Sequence, residues 1–216
     1  MIKGILFDLD GVIVDTAVFH YAAWRRMAND LGFDIDEEFN ETLKGISRMD
    51  SIDRILKKGG LELTDERILE LAAKKNNWYL ESVDQMTDAN ILPGIENIIS
   101  QIKEKGLGMA LGSASKNAPR ILERIGLIDA FDALVDGNSV KKSKPNPEVF
   151  LKGAESLGLQ NGECLVVEDA FAGIEAAHAA GMKAIGIGTK QNLPNADYIL
   201  ETFEGVVLSE LLEKLK

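Results

Sequence analysis

The sequence predicts an α/β fold in which a parallel sheet flanked by helices is accompanied by a smaller, all-helical block. Two observations support this prediction. From Leu92 onward, helical segments alternate with short apolar strands, the pattern of consecutive βαβ units. Between residues 36 and 86, by contrast, no segment has the pattern of a strand, and only helices are expected there.

The first predicted strand ends in two acidic residues. Residues 3–7 include a continuous apolar run, which is typical of a strand buried on both faces of a parallel sheet. Asp8, Asp10 and Gly11 follow at once, and glycine lets the backbone turn away from the strand. Because open α/β sheets bind ligands at the carboxyl ends of their strands, this stretch predicts one side of a binding site. The alternative is an ordinary polar turn, since strands often end in Asp-Gly turns.

The helical block is predicted from apolar residues that recur at helical spacing. Helices are expected over residues 17–31, 36–43, 47–58 and 64–86. Gly32 follows the first helix in a position typical of a helix end, and Thr16 or Asp15 is expected to cap its start. Thr64, followed by acidic residues, opens the last helix, as the helix dipole favours.

The remainder of the chain is predicted to complete the sheet. Further strands are expected over residues 107–111, 133–135, 164–167, 183–187 and 198–200. Helices are expected over residues 95–105, 117–125, 147–157, 170–180 and 209–215. The change of pattern places a domain boundary near Asp88.

Composition and charge exclude several classes of protein. The chain has 216 residues, enough for a sizeable core, and its formal net charge of −11 argues against a nucleic-acid-binding surface. No segment approaches the ~18 apolar residues that span a bilayer, and we expect neither export nor a membrane anchor. Cys164 is the single cysteine, which excludes an intrachain disulfide. We therefore expect a cytoplasmic protein whose partner is a small molecule, not a nucleic acid or a membrane. A monomer is expected as well, although composition does not define the oligomeric state.

Polar residues follow the carboxyl ends of three predicted strands, which share one edge of the sheet. They are Asp8 and Asp10, the segment 112–117 (Gly-Ser-Ala-Ser-Lys-Asn), and Glu168 with Asp169. Four carboxylates in one pocket would repel one another, so the group requires a cation, and oxygen ligands suit Mg²⁺. Ser113, Lys144 and free N–H groups before the helix at Asn117 suit a phosphate.

Phosphoryl transfer follows from the chemistry of these groups. A carboxylate is ionised at neutral pH, so Asp8 can attack phosphorus without a base to activate it, which leaves Asp10 free for proton transfer. A metal ion and Lys144 can offset the charge on the oxygens of the transferred group. The alternative, that each polar residue merely ends its strand, requires four complementary groups to coincide by chance.

The order of these residues resembles the four-motif pattern of the haloacid dehalogenase (HAD) superfamily. The motifs are Asp8-x-Asp10-Gly-Val, Ser113, Lys144-Pro145 and Glu168-Asp169. The resemblance implies a Rossmann-like core, with a parallel sheet flanked by helices, formed by residues 1–15 and 89–216. It also implies that residues 16–88 form a small α-helical cap domain. Because most members of the superfamily are phosphatases, the four motifs do not define the substrate.

Further segments resemble the β-phosphoglucomutase family within this superfamily. They are residues 43–48 (Leu-Lys-Gly-Ile-Ser-Arg) with Ser51, residues 113–117, and residues 143–145, with Ser143 where many phosphatases have Gly. Asp15-Thr16, followed by His20 and Trp24, also fits that family. Two features depart from the pattern or match no role: Gly112, where Ala would be usual, and the loop of residues 136–139.

The resemblance implies a role for each residue of the catalytic centre. Asp8 would be the nucleophile and Asp10 the general acid and base. Mg²⁺ would be bound by the Asp8 carboxylate, the Asp10 backbone carbonyl and Asp169, with Glu168 either a further direct ligand or a residue that contacts the ligands. The transferred phosphate would be held by Ser113, Ala114 and Lys144.

The resemblance also implies roles for the cap and the sugar pocket. Arg48 would bind the distal phosphate. The rest of the substrate would contact Ser115, Lys116, Asn117, Lys44, Gly45 and Trp24. Asp10 would be positioned, as the cap closes, by Thr16, His20 and Lys44.

Several other residues have simpler interpretations. Trp78 and Tyr79 are expected to be packing aromatics, and His178 a surface or packing residue. Lys141 and Lys142 are expected to raise the local potential near the phosphate site without contacting it.

Three functions are compatible with these residues. The first is a β-phosphoglucomutase, which would interconvert β-D-glucose 1-phosphate and glucose 6-phosphate through an aspartyl phosphate and glucose 1,6-bisphosphate. The second is a small sugar-phosphate phosphatase with the same catalytic residues and water as acceptor. The third is a non-catalytic binding module, which is disfavoured because no core motif residue is missing.

Overall fold

The computed structural model describes residues 1–215 and contains a six-stranded sheet flanked by helices. The strands are β1 (Gly4–Phe7), β2 (Gly108–Gly112), β3 (Ala133–Val135), β4 (Cys164–Glu168), β5 (Lys183–Ile187) and β6 (Tyr198–Leu200). Their order is β3-β2-β1-β4-β5-β6, and all neighbouring strands are parallel. The predicted α/β architecture is confirmed.

Every predicted helix is present. The helices are α1 (Ala17–Asp30), α2 (Glu37–Glu41), α3 (Arg48–Gly59), α4 (Asp65–Val83), α5 (Ile95–Glu104), α6 (Ala118–Arg124), α7 (Glu148–Ser156), α8 (Phe171–Ala179) and α9 (Leu208–Lys214). Short 3-10 helices that were not predicted lie at Asp88–Asn90, Ile128–Ala130 and Asn161–Glu163. Within residues 1–215, no helix has the length and apolar character needed to cross a membrane.

The largest difference from prediction is the end of α4, which was expected at residue 86 and lies at Val83. Met86 continues the apolar pattern and is buried, but it lies in a turn. The Asp84 carboxylate accepts hydrogen bonds from Arg120 Nε at 2.9 Å and Nη2 at 2.6 Å, and Arg124 donates to the Asp84 carbonyl. The helix therefore ends where residue 84 binds α6, and it does not continue for the further turn that was predicted.

Apolar side chains form three clusters. Two of them include side chains of the sheet, packed with α5, α6 and α9 in one cluster and with α7 and α8 in the other. The third lies within the helical block and includes Trp24, Met27, Ile52, Ile55 and Leu71. The helical block therefore has a core of its own, although the domain limits at residues 15 and 88 stay a prediction.

Strand order brings the predicted site residues to one edge of the sheet. β1 lies between β2 and β4, with Phe7 in register with Leu111 on one side and Val167 on the other. The Asp8 amide continues this ladder by donating to the Val167 carbonyl at 2.9 Å. Asp8 consequently lies beside Glu168. This is the position at which the strand order reverses, because the chain continues to β2 on one side of β1 and to β4 on the other, and open α/β sheets bind ligands at such a position.

Candidate active site

A cavity of about 1350 Å³ separates the carboxyl edge of the sheet from the helical block. The sheet side contributes the residues that follow β1, β2 and β4, and the helical block contributes residues 43–51 and the inner face of α4. Most of the predicted site residues line this one cavity, including Asp8, Asp10, Arg48, Ser113 and Lys144.

Three carboxylates meet at the floor of the cavity. Oxygen atoms of Asp8, Glu168 and Asp169 all lie within 4.8 Å of one another. Two glycines make room for them: a Cβ on Gly173 would lie 1.8 Å from Glu168 Oε1, and one on Gly11, whose φ is +81°, would lie 2.1 Å from Asp169 Oδ2. Burial, and then Glu168 and Asp8, raise the pKa of Asp169 well above 3.8. A cation is the natural partner for such a cluster, and a set of oxygens suits a hard divalent ion.

Lys144, in the connection between β3 and α7, joins two of these carboxylates. Its Nζ donates to Asp8 Oδ1 and to Glu168 Oε1, both at 2.6 Å. Burial alone would lower the pKa of Lys144, but the two carboxylates outweigh it and raise the pKa above 10.5. Gly112 leaves room for the Phe150 ring, since a Cβ at residue 112 would lie 2.9 Å from that ring. The same ring lies 4.8 Å from Lys144 Nζ, so Gly112 allows a residue that packs on Lys144.

Asp10 has different partners, which lie toward the helical block. Thr16 Oγ1 donates to Asp10 Oδ1 and makes no cap hydrogen bond to α1. Of the two residues expected to cap this helix, Asp15 does so, because its Oδ1 accepts from the Ala17 amide at 3.1 Å. The pKa of Asp10 rises to about 6, mainly because of burial and then because of Asp8, while Thr16 and Lys75 oppose the rise. Asp10 can therefore exchange a proton near neutral pH.

A buried group that was not predicted lies behind Asp10. Lys75 Nζ lies 2.9 Å from His20 Nδ1 and 4.0 Å from the centre of the Trp24 ring. Burial is the main cause that lowers the pKa of both His20 and Lys75, so the imidazole is neutral and accepts the hydrogen bond from Lys75. The Tyr79 ring packs against His20 with ring centres 4.2 Å apart and the ring planes inclined at 38°. His20 therefore contacts Lys75 and Tyr79, and reaches Asp10 only through its neighbours.

The buried position of Lys75 could have been predicted from the spacing of residues along α4. Leu71, Lys75 and Tyr79 are four residues apart and all are buried, so Lys75 occupies an apolar position on α4. A lysine at such a position is a candidate for a functional role. Tyr79 was expected only to pack. It does so, but it also lines the cavity, and its hydroxyl has no hydrogen-bond partner among residues 1–215.

The loop after β2 differs in part from expectation. Ser113 is buried and its Oγ accepts from the Ser115 amide at 3.1 Å, while Ser115 Oγ accepts from the Asn117 amide at 3.2 Å. Two of the N–H groups expected to be free for a phosphate are therefore bonded within the loop. Lys116 is exposed at the mouth of the cavity, and Ala114 lies between the two serines along its wall.

Arg48 meets this loop through Asn76, another residue that was not predicted. Asn76 Oδ1 accepts from Arg48 Nη2 at 2.6 Å and from Asn117 Nδ2 at 2.9 Å. The helical block and the sheet thus contact each other directly on this side of the cavity.

The remaining predicted residues lie in two places. Lys44 Nζ lies 3.0 Å from Glu41 and 3.7 Å from Asp169, so its contacts are with these carboxylates and not with Asp10. Gly45 packs against Ala170, where a Cβ would approach to 2.9 Å. Trp24 is buried in the core of the helical block and reaches the cavity beside Lys75.

A family model described as haloacid dehalogenase-like hydrolase matches residues 5–187. The chain belongs to the haloacid dehalogenase-like hydrolase family. The match extends from β1 to the end of β5, so it includes the strand-end residues of all four motifs. The resemblance to the HAD superfamily is confirmed, and the chain is an enzyme. Family membership and the carboxylate cluster together imply a divalent metal ion at the sheet edge.

Individual relatives of this HAD chain include mutases and phosphatases. It is 40% identical over 214 residues to the β-phosphoglucomutase of Bacillus subtilis (strain 168), covering 98% of this chain and 95% of that protein. The crystal structure of β-phosphoglucomutase from Clostridium difficile is 42% identical, with a TM-score of 0.95 over 99% of this chain and 97% of that one. Fructose-1-phosphate phosphatase YqaB of Escherichia coli (strain K12) is 32% identical over 185 residues, covering 85% and 95%.

Proposed function

We propose that this enzyme is a β-phosphoglucomutase that interconverts β-D-glucose 1-phosphate and glucose 6-phosphate through glucose 1,6-bisphosphate. The observation that carries the proposal is that a single cavity is lined by two separate cations suited to phosphate, Lys144 on the sheet side and Arg48 on the helical block. A substrate that carries a phosphate at each end during the reaction requires two such sites. The 40% identity to a β-phosphoglucomutase supports the same conclusion.

The proposed cofactor is Mg²⁺. Carboxylates of Asp8, Asp169 and Glu168 and the backbone carbonyl of Asp10 would hold it, a set of hard oxygen donors that fits this ion. When bound, Mg²⁺ supplies positive charge next to the oxygens of the transferred phosphate.

Asp8 acts as the nucleophile. An oxygen of its carboxylate forms a bond to phosphorus while the bond from phosphorus to the oxygen of the phosphoryl donor breaks. Lys144 uses two of its three N–H groups on Asp8 and Glu168, so the third is available to an oxygen of the transferred phosphate. Ser113 and Ala114 complete the proposed phosphate site.

Asp10 moves the proton in both half-reactions. Protonated Asp10 gives its proton to the sugar oxygen that leaves as Asp8 is phosphorylated. Ionised Asp10 then takes the proton of the sugar hydroxyl that attacks phospho-Asp8. A pKa of about 6 suits both directions, because neither form is scarce near neutral pH. Thr16 positions Asp10 directly, whereas His20 supports the site through Lys75 and Tyr79.

The proposed sugar pocket lies between the two phosphate sites. Arg48 binds the distal phosphate once it releases Asn76. The sugar contacts Ser115, Lys116 and Asn117 on the loop after β2, and Lys44, Gly45 and Trp24 lie on the side of the helical block. After the first transfer the bisphosphate must exchange its two ends between Lys144 and Arg48.

Residues 16–88 are proposed to act as a cap over a core of residues 1–15 and 89–216. Its closure excludes water, which Asp10 would otherwise activate against phospho-Asp8 as readily as a sugar hydroxyl. We further propose that the enzyme acts as a monomer in the cytoplasm.

A small sugar-phosphate phosphatase is the second candidate, favoured by the 32% identity to the phosphatase YqaB. Incubation with β-glucose 1-phosphate, Mg²⁺ and a trace of glucose 1,6-bisphosphate separates the two functions. The mutase accumulates glucose 6-phosphate with little free phosphate. Inorganic phosphate as the main product would instead establish the phosphatase.

A further inference from the structure

A hydrogen bond joins the helical block to the sheet side through two cavity-lining residues, Asp50 and Ser143, neither of which is a proposed substrate contact. Ser143 Oγ, on the sheet side, donates to Asp50 Oδ2 of the helical block at 2.6 Å. The same oxygen accepts from Ser47 Oγ at 2.6 Å. Hydrogen bonds to a carboxylate are stronger than those between neutral groups, so this contact can hold the two parts of the molecule together.

On the helical side, Asp50 belongs to the first turn of α3. Ser47 caps this helix by accepting from the Asp50 amide at 3.2 Å, and Arg48 is the first residue of the helix. The Asp50 carboxylate is therefore fixed to the same turn that carries the cation proposed for the distal phosphate.

On the sheet side, Ser143 directly precedes Lys144. The side chain of Lys144 is immobilised by its hydrogen bonds to Asp8 and Glu168. The bond between Ser143 and Asp50 thus joins two short segments, each of which holds one of the two phosphate-binding cations.

The other polar contacts across the cavity cannot serve this purpose in the loaded enzyme, and the ion pair of Asp84 with Arg120 at the end of α4 joins neither phosphate-binding segment. Lys44 faces Asp169, a proposed metal ligand, and Asn76 holds both Arg48 and Asn117, which are proposed to bind substrate. Metal and substrate would compete for these contacts. Ser143 and Asp50 have no such role, so their bond can persist with the bisphosphate in place.

We propose that the hydrogen bond between Ser143 and Asp50 determines which acceptor phospho-Asp8 uses, by fixing the separation of Arg48 and Lys144 to that of a sugar bisphosphate. This inference rests on the proposed mutase function. With the bond in place, the cap cation holds the sugar so that its hydroxyl faces phospho-Asp8 and water is displaced. Without it, the first turn of α3 moves away from Lys144, and water reaches phospho-Asp8 in place of the sugar. Ser143 and Asp50 are positioning residues, since neither touches the reacting atoms.

The test measures how the phosphoryl group divides between sugar and water in Ser143→Ala. Enzyme, β-glucose 1-phosphate, Mg²⁺ and a trace of bisphosphate are incubated, and phosphate and glucose 6-phosphate are measured together. We expect the ratio of phosphate to glucose 6-phosphate to rise about tenfold, the effect of losing one hydrogen bond to a charged group. The rate at which acetyl phosphate phosphorylates Asp8 should be unchanged, because that small donor does not need Arg48.

Control variants separate this effect from loss of structure. Ser143→Thr keeps a hydroxyl and should restore the wild-type ratio. Arg120→Ala breaks the ion pair with Asp84 at the end of α4 and should leave the ratio unchanged. In the double variant Ser143→Ala, Asp50→Ala, the effect should not exceed that of the larger single change.

Two outcomes would overturn the inference: a ratio in Ser143→Ala within about twofold of wild type, or an equal rise in Arg120→Ala. Failure of the proposed function itself would be seen separately, as release of phosphate by the wild-type enzyme. The inference therefore fails when the wild type is a mutase and either Ser143→Ala keeps the wild-type ratio or Arg120→Ala raises it equally.

Discussion

Asp8 and Asp10 are two residues apart and yet have different environments. Asp8 shares Lys144 with Glu168 on the sheet side, whereas Asp10 accepts from Thr16 at the start of the helical block. Burial and the neighbouring Asp8 raise the pKa of Asp10 to about 6. The difference in partners supports the proposed division of roles, with nucleophilic attack by Asp8 and proton transfer by Asp10.

Asp10→Asn should bind Mg²⁺ and sugar phosphate much as the wild type does, because the backbone carbonyl and the shape of the side chain are retained. Turnover should fall by roughly 10²–10⁴-fold, since the amide cannot exchange a proton. Calorimetric titration and steady-state kinetics check the two parts of this prediction. Asp15→Asn, an exposed neighbour, is the control and should keep its activity. Near-normal turnover of Asp10→Asn would refute the assignment.

Arg48→Ala should impair only the reactions that need a distal phosphate. The turnover of β-glucose 1-phosphate should fall about a hundredfold, in line with the loss of a charge-assisted contact in a partly enclosed site. Phosphorylation of Asp8 by acetyl phosphate should stay near the wild-type rate. Arg54→Ala, which changes an exposed cation on the same helix, is the matched control. Equal loss in both reactions would show that Arg48 stabilises the fold instead.

The sequence alone predicts the site residues that follow strands, because parallel strands bring their carboxyl ends together whatever the details of packing. Asp8, Lys144 and Glu168 meet as expected. The contact between His20 and Lys75 could not be predicted, since it joins residues 55 positions apart on two helices whose packing depends on tertiary structure. The bond between Ser143 and Asp50 could not be predicted for the same reason, since these residues are 93 positions apart.

At the scale of elements, predictions succeeded where local pattern decides and failed where a distant contact does. β3, β5 and β6 were predicted with their observed limits, because turn residues bound short apolar runs. The end of α4 was misplaced, because Arg120 and Arg124 of α6 bind Asp84 and interrupt a pattern that continues to Met86.

The core of the helical block should be sensitive to a cavity. Ile55 on α3 is 0% exposed, so Ile55→Ala should lower the free energy of unfolding by about 2–5 kcal/mol. Trp24 and Trp78 are the only tryptophans of the chain and both lie in this block, so fluorescence during urea unfolding reports on it. Val18→Ala, at a position that is 60% exposed, should change the free energy by less than about 0.5 kcal/mol. An equally small change for Ile55→Ala would contradict the observed packing.

Asp197 links β5 to α8 and should make stability depend on pH. Its Oδ2 accepts from the Ala184 amide at 2.8 Å and lies 3.0 Å from His178 Nε2. Burial alone would raise the pKa of Asp197, but these hydrogen bonds outweigh it and hold the pKa below 3.8. A depressed pKa stabilises the folded state above the unfolded value of 3.8, and that stability is lost as the pH falls through the folded value.

Asp197→Asn should therefore be less stable than the wild type at neutral pH, and the difference should shrink as the pH falls below 3.8. Urea unfolding at a series of pH values measures it. Glu201→Gln, which changes an exposed carboxylate just after β6, controls for the loss of one negative charge. If the difference in the free energy of unfolding between wild type and Asp197→Asn stayed constant at the lowest pH values, the hydrogen bonds would not depend on the charge of Asp197.

For the whole molecule, charge is distributed unevenly. The net charge is −11, yet basic residues outnumber acidic ones around the cavity. The basic residues are Lys44, Arg48, Arg54, Lys75, Lys116, Lys141, Lys142 and Lys144, and the acidic ones are Asp8, Asp10, Asp50, Asp53 and Asp169. An acidic surface repels anions in general, while the cavity attracts them locally. This distribution favours a small phosphorylated substrate over nucleic acid.

The helical block contacts the sheet side on several sides of the cavity. Lys44 and Gly45 meet the start of α8, Asn76 meets Asn117, and Asp50 meets Ser143. For the proposed cap, a closed position that excludes water is what a mutase needs and a phosphatase does not. The fate of the phosphoryl group on Asp8 is therefore the property that distinguishes the two functions.

The most direct test follows that phosphoryl group in a single turnover. Enzyme labelled with ³²P on Asp8 is mixed with β-glucose 1-phosphate and Mg²⁺ and quenched in acid, and the labelled products are separated. We expect most of the label in glucose 1,6-bisphosphate and glucose 6-phosphate, and little in inorganic phosphate. Label that leaves mainly as inorganic phosphate, at the same rate with and without the sugar phosphate, would contradict the proposed mutase function.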